Sequence, residues 1–350
     1  MNMVQSRSRD PHGATMYPLR EDWLALHDEE VPEPGLPIID PHHHLWDRQG
    51  SRYLFEELLD DTGSGHDIRS TVFIQCRSMY RAAGPVALQP VGETEFVNGI
   101  AAQSASGNYG RMRACAGIIG HADLTRGAGI RDVLEAHITA GGGRFKGIRF
   151  STALDGDITI TPVPPMKDIM MTPAWRQGFA QLAPLGLTFD ALVFHSQLDQ
   201  LTDLARAFPE TRIILDHVGC PLGIGRYAGR RDEVFAGWRT AITELGRCRN
   251  AYVKLGGLGM TMFGFDFEGR PKPPSSAELA ELWKPYIETC IDAFTPQRAM
   301  FESNFPVDKI AGAYKTYWNA FKRLARDYSA ADKAALFHGA AARAYDLPDV

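Results

Sequence analysis

Eight short runs rich in β-branched and aliphatic residues recur along this chain of 350 residues, and apolar residues at helical spacing fill the segments between them. The runs are LPIID (36–40), TVFIQ (71–75), ACAGIIG (114–120), FKGIRF (145–150), LTFDALV (187–193), RIILD (212–216), AYVKL (251–255) and AMFES (299–303). Segments such as SQLDQLTDLARAF (196–208) and SAELAELWKPYIETCIDAF (276–294) place their apolar positions on one helical face. Strand then helix, repeated along the whole chain, predicts an α/β protein built as a single (β/α)8 TIM barrel. An open doubly wound sheet is the alternative, but no Gly-x-Gly-x-x-Gly turn follows the first run, as a dinucleotide fold would need. Residues 1–35 are polar and proline-bearing, end in VPEPG, and read as an N-terminal extended arm laid over a barrel of residues 36–350.

Composition narrows the function classes. With 44% hydrophobic and 23% charged residues the chain is an ordinary globular protein. Its net charge of −5 supplies no basic field for phosphates or anionic lipid, so neither nucleic acid nor a membrane is an expected partner. No run approaches the ~18 unbroken apolar residues of a membrane helix, and the first residues carry no apolar core like that of a signal peptide. A cytoplasmic protein with a small-molecule substrate is the expectation, with self-association into a homo-oligomer left open. The five cysteines are scattered and never form a Cys-x-x-Cys pair, which predicts reduced thiols in the core.

In such a barrel, functional side chains sit at the C-terminal ends of the strands, and polar residues fall there in this chain. IIDPHHHLWD (38–47) puts three histidines where the first apolar run ends. A strand turns alternate residues to opposite faces, so His42 and His44 look one way and His43 the other. Two imidazoles on one face are a candidate site for a divalent metal such as zinc, with Asp40 on that face to orient a ligand. Arg149 ends the fourth run in GGGRFKGIRF, where its fork suits a carboxylate; Lys146 is beside it, and the glycines admit a ligand close to the backbone. Arg77, Tyr80 and Arg81 follow the second run and could serve the same anionic group. His195 follows the fifth run, either binding substrate or capping the helix that Ser196 begins. His217 in LDHVG follows the sixth and is a catalytic candidate. Glu302 and Asn304 end the eighth, and Asp308 follows in PVDK. The loop GGLGMTMFGFDFEGRPKPP after the seventh, with Met260, Met262, Phe263, Phe265 and Phe267, reads either as a mobile apolar lid or as an edge against another subunit. Each feature also has a plainer reading as a surface histidine cluster, a loop cap or a solvated cation.

IIDPHHHLWD, FKGIRF, RIILDHVGCPLG, YVKLGGLGM and FESNFPVDK, in that order and spacing, resemble the amidohydrolase-related TIM-barrel hydrolases. The resemblance is closest to the branch that includes 2-pyrone-4,6-dicarboxylate lactonase and the sugar-acid lactonases, and it spans roughly residues 36–348. It implies a (β/α)8 barrel and water attack on a lactone or related ester carbonyl. It also places the branch's histidine pair on His42 and His44, its strand-six histidine on His217 and its strand-four basic residue on Arg149. Some members of the branch bind a divalent metal such as zinc and others work without one, so the cofactor stays open.

One position departs from that pattern. Asn304 stands in SNFP where the branch usually carries an aspartate in a Ser-Asp-Phe/Trp-Pro context, and an amide cannot accept a proton from water. Glu302, on the same face of a regular strand, is then expected as a metal ligand or as a base acting through water. Asn304 would position the water or carbonyl, and Asp308 is the competing base. The plainer reading of Glu302 is a salt bridge to Lys254. The function expected is a hydrolase opening a small anionic lactone. Its rivals are a metal-dependent decarboxylase of an aromatic acid and a non-catalytic ligand-binding barrel.

Overall fold

The computed structural model describes residues 19–48, 51–156, 158–159 and 166–348. The first eighteen residues of the expected arm and the last two of the expected barrel lie outside the described residues. The eight expected runs are strands: β1 (Pro37–His43), β2 (Asp67–Ile74), β3 (Arg113–Gly120), β4 (Phe145–Arg149), β5 (Thr188–Ala191), β6 (Ile213–Leu215), β7 (Ala251–Leu255) and β8 (Ala299–Phe301). Each pairs in parallel with the next. The ring closes where His43 bridges Phe305 and the His44 N–H donates to the Phe305 carbonyl at 2.8 Å. Closure pairs the two edge strands of this eight-stranded sheet with each other.

Helices α1 (Phe55–Thr62), α2 (Val91–Ala105), α3 (Arg131–Gly141), α4 (Pro173–Phe179), α5 (Leu198–Ala207), α6 (Arg231–Gly246), α7 (Ser276–Phe294) and α8 (Tyr314–Leu324) follow their strands and form the outer layer. Helix α7 shows how local sequence sets a boundary: Ser275 accepts from the Glu278 N–H while the Glu278 carboxylate reaches back to the Ser275 N–H, a reciprocal cap.

Two separate cores result. The larger lies between strands and helices, with Phe189, Trp175 and Phe179 in mutual ring contact. The smaller lies inside the barrel, where Ile39, Val72, Ile119, Ile214 and Met300 meet the alanines and Tyr345 of the C-terminal helix Ala340–Tyr345. That helix closes the barrel floor. Before β1, the short helix Glu21–Leu24 leads to Glu29, which accepts from the Ser276 N–H at 2.6 Å and from Asn319 Nδ2 at 3.2 Å, so this segment lies on α7 and α8. None of the described helices is long and apolar enough to cross a membrane.

Candidate active site

Strand β1 delivers its histidines as the alternation rule requires. His43 faces the outer layer, its Nε2 2.8 Å from Thr71 Oγ1 and its ring edge-on to Phe73. His42 and His44 face the barrel mouth with ring centroids 5.0 Å apart. Asp40 does not share their face, because a register shift falls between Asp40 and His43. Its carboxylate accepts from the Ser303 N–H at 3.0 Å and the Tyr314 hydroxyl at 2.9 Å, tying β1 to β8 and α8 without touching an imidazole. The bulge adds a residue, and the period of two is lost across it.

Glu302 is the hub of the site. Its Oε1 accepts from His217 Nδ1 at 2.7 Å and from the His217 N–H at 3.2 Å, and its Oε2 lies 2.7 Å from His42 Nδ1. Burial works against this carboxylate, but His217 and His42 outweigh it and hold the acid down to about 2. The ordinary salt bridge to Lys254 does not form; Lys254 instead pairs with Asp190 at 2.6 Å and Asp216 at 3.0 Å. Burial, then Lys254, pushes His42 down to about 4, so it is neutral. Two groups with only protons to give approach this ring, Arg149 Nη1 at 3.3 Å from Nε2 and Lys254 Nζ at 3.2 Å from Nδ1. For His217, burial is outweighed by Glu302, Asp216 and Asp308, and its basicity is raised.

The eighth strand is shorter than expected. It ends at Phe301, and Asn304 takes φ 56°, so the regular alternation that would align Glu302 with Asn304 is broken. The Asn304 N–H donates to the His42 carbonyl at 2.9 Å, and its side chain turns to Asp308, donating from Nδ2 at 2.8 Å. Asp308 also accepts from the Gly259 N–H at 3.0 Å, and burial raises its acid to about 7. His217 likewise sits at φ 53°, a left-handed conformation that costs a non-glycine residue about 1–3 kcal/mol. The bonds from its ring and its N–H to Glu302 hold it there.

The other expected residues divide. Arg149 is buried in the mouth, 3.4 Å from Asp216 and donating from Nη2 to the Gln75 carbonyl. Arg77 and Tyr80 follow β2 on this side: burial and then Glu93 suppress the acidity of the Tyr80 hydroxyl, and the positive charges of Arg77 and Arg149 oppose them. Lys146 is a correction. It lies three residues before Arg149 and donates to the Asp346 carbonyl at 3.1 Å, beside the C-terminal helix at the opposite end of the barrel. His195 stands apart from the histidine cluster; its Nδ1 accepts from the Leu222 N–H at 3.3 Å and its ring meets Tyr227 edge-on. His44 donates from Nδ1 to the Ile74 carbonyl at 2.8 Å, leaving Nε2 to the mouth.

The loop after β7 is not a free lid. Met260, Phe263 and Phe267 are buried, and Arg231 of α6 lies 4.4 Å over the Phe265 ring. The glycines of GGLG serve close packing: a Cβ at Gly256 would run into Glu302, one at Gly257 into the His217 ring and one at Gly259 into Tyr317.

Asp216 and Asp190 join the site without having been singled out from the sequence, and Lys254, named there only as a salt-bridge partner for Glu302, joins it with them. The available signal was a charge inside an apolar strand, in FDAL, ILDH and YVKL, since a buried charge requires a partner. His42, Asp216 and His217 offer donor atoms within 4.8 Å of one another, a set that could hold a metal ion. Nitrogen and carboxylate donors in that number suit such an ion, but His44 is not one of the three. Buried polar atoms also lack a protein partner here: Gln75 Oε1 after β2, Arg149 Nε and Ser151 Oγ after β4, and Asn304 Oδ1 after β8. Such atoms cost about 1–3 kcal/mol each when left unmatched, and they are the kind a polar ligand satisfies.

Comparison with known proteins shows the family and the fold. The amidohydrolase family model matches residues 39–347. The uncharacterized protein y4mH of Sinorhizobium fredii is 32% identical over 89% of this chain and 98% of its own length. The L-fucono-1,5-lactonase of Burkholderia multivorans is 26% identical over 90% of this chain and 98% of its own. A crystal structure of a Burkholderia multivorans amidohydrolase with bound zinc superposes with a TM-score of 0.68 at 26% identity, covering 89% of this chain and 99% of that one.

Proposed function

The chain belongs to the amidohydrolase family, as a hydrolase on a (β/α)8 barrel, and on that premise we propose that it opens a small lactone by water attack. The observation that carries this reading is Glu302 held between His42 and His217, with Arg149 on the far side of the His42 ring. The L-fucono-1,5-lactonase relatives, at 26% and 28% identity, make sugar-acid lactones the first class to test.

Glu302, held near 2, stays a carboxylate and is too weak a base to take a proton from water. Its work is to fix His217 with the proton on Nδ1, which leaves Nε2 bare. Nε2 takes a proton from water as the water oxygen attacks the lactone carbonyl, and the oxyanion that forms meets the Arg149 guanidinium. The ring C–O bond then breaks, the departing alkoxide recovers the proton from Nε2, and the product is a hydroxy acid that releases one proton to solvent. Asn304 and Asp308 line the same end of β8; Asn304 Oδ1 is placed to accept from the substrate or from water.

His42, Asp216 and His217 would hold a divalent ion such as zinc, whose chemistry there would be to polarise the carbonyl and acidify water. Such an ion would engage the same His217 that the metal-free route needs as its base. Metal content of the active protein therefore separates the two routes.

The test is a pH-stat assay on 1,5- and 1,4-lactones of sugar acids with metal content measured in parallel. Acid release without carbon dioxide is the expected outcome; evolved carbon dioxide from an aromatic acid would instead support a decarboxylase. Arg149→Lys keeps the charge and loses the fork, so kcat/KM should drop roughly tenfold or more. Unchanged kinetics in that variant would remove Arg149 from the reaction.

A further inference from the structure

The end of β2 is a backbone rack for the mouth. Three successive carbonyls there each hold one side chain from another part of the barrel: Ile74 accepts from His44 Nδ1 at 2.8 Å, Gln75 from Arg149 Nη2, and Cys76 from Arg48 Nη2 at 2.5 Å. Where Arg149 points therefore depends on where this short stretch of main chain lies. The chain then turns sharply. Arg77 and Met79 take φ 64° and 55°, left-handed conformations that cost a non-glycine residue about 1–3 kcal/mol each and persist only where the surroundings impose them.

The group that holds this turn comes from the outer layer. Glu93, in the first turn of α2, is buried, and its Oε1 accepts from the Cys76 N–H at 2.9 Å and from the Ser78 N–H at 2.8 Å. An acid three residues after a helix's capping residue ordinarily turns back to the N–H of that residue. Here the capping residue is Pro90, which has no N–H, so the carboxylate reaches across to the loop instead. Helix and loop are in close contact: a Cβ on Gly92 would lie 2.6 Å from the Arg81 nitrogen and 2.7 Å from the Met79 carbonyl oxygen. Among the described residues Oε2 has no partner, so the acid's two strong bonds are those to the N–H groups on either side of Arg77. Burying a carboxylate is costly, and packing a helix on a loop does not require one.

We propose that Glu93 is a positioning residue: it fixes the end of β2 and, through the Gln75 carbonyl, the guanidinium of Arg149. The catalytic consequence rests on the hydrolase reading above, in which Arg149 meets the oxyanion; the structural link from Glu93 to Arg149 does not.

Three variants separate positioning from plain stability. Glu93→Gln keeps an oxygen that can accept both N–H groups and should leave kcat/KM for the best lactone within about threefold of wild type. Glu93→Leu fills a similar volume without an acceptor and should lower kcat roughly tenfold with KM within about twofold, as for loss of a hydrogen bond to a charged group in the transition state. In an Arg149→Lys background, where the fork is already lost, the same Glu93→Leu change should cost less than about threefold, because both substitutions remove one interaction. Crystal structures of the wild type and of Glu93→Leu should show Arg149 released from the Gln75 carbonyl in the variant. The proposal is overturned by full kcat in folded Glu93→Leu, by equal losses in Glu93→Gln and Glu93→Leu, by losses that simply multiply in the double variant, or by an Arg149 that still donates to Gln75 in the variant crystal. If Glu93→Leu does not fold, Glu93→Asp, which withdraws the carboxylate by one methylene, takes its place with the same expectations. If the wild type hydrolyses no lactone, the function fails, and the position of Arg149 in the crystals alone decides this inference.

Discussion

The barrel floor and the barrel mouth are built on the same strands, two or three residues apart, and they obey opposite rules. On the floor, Ile39, Val72, Ile119, Ile214 and Met300 pack against the alanines of the C-terminal helix and leave nothing for a ligand to satisfy. At the mouth, Glu302, His42, His217, Asp216 and Arg149 crowd together, the backbone is left-handed at His217 and Asn304 among others, and several buried polar atoms have no protein partner. The difference teaches where each kind of free energy is kept. The floor contributes stability through transfer and packing, and the mouth gives some of it up to hold groups in the geometry that chemistry requires.

Met300 and Glu302, on either side of Phe301, make the sharpest test of that division. Glu302→Gln keeps volume and removes the charge that orients two histidines. Activity should fall on the order of 10⁴-fold, as when the orienting acid of a histidine base is lost, with Tm little changed. Met300→Ala opens a cavity in the floor and should cost about 2–5 kcal/mol of stability, with kcat retained at temperatures where the variant is folded. Kinetics and calorimetry on the two purified variants would break the comparison if Glu302→Gln lost stability and kept its activity, or if Met300→Ala did the reverse.

Acid should weaken the fold through histidines buried in their neutral form. Burial depresses His137 to about 4 and His66 to about 3. Both are neutral in the fold and charged in the unfolded chain below pH ~6.5. Over that window the unfolded state binds the extra protons, so stability falls as pH falls from about 6.5 toward 4 and 3, by up to ~1.4 kcal/mol per pH unit for each histidine. Stability curves at pH 7, 6, 5 and 4 check this. A curve flat across that range would mean these rings find partners in the acid form that the structure does not show.

Much of this architecture was legible because strand placement follows from apolar runs, and AYVKL and FKGIR became strands almost to the residue. The rim residues were legible for the same reason: once a strand's end is known, the next polar residue is at the mouth. What failed did so where backbone geometry departs from the regular. Asp40 was misplaced by the bulge in β1, and Asn304 by a left-handed turn just past β8, neither of which alternation can express. Lys146 was misplaced because a strand has two ends and sequence proximity to Arg149 does not say which one a long side chain favours. The loop after β7, which reads either as a mobile lid or as an edge against another subunit, is a different case. Its glycines mark close approach to His217 and Glu302, a requirement visible only once those two side chains are in position.

The smallest expected effect tests the alternation of β1 itself. His43 lies between the two mouth histidines, yet its ring is in the outer layer against Thr71, Phe73 and, at 3.8 Å, the Cys115 thiol. His43→Gln can still reach Thr71 but loses the ring that fills this part of the outer core. A cost of about 1–3 kcal/mol in stability follows from a buried polar group with an imperfect partner. Catalysis has no reason to change by more than about threefold, since alternate residues of a strand face different layers and His43 has no bond to any group of the mouth. The informative comparison is with His42→Gln, which removes the Glu302 contact and should lose most activity at a smaller cost in stability. Equal losses of kcat in the two variants, with His43→Gln folded, would mean that the wall of this barrel transmits its packing to the site, and that floor, wall and mouth are less separable than their chemistry suggests.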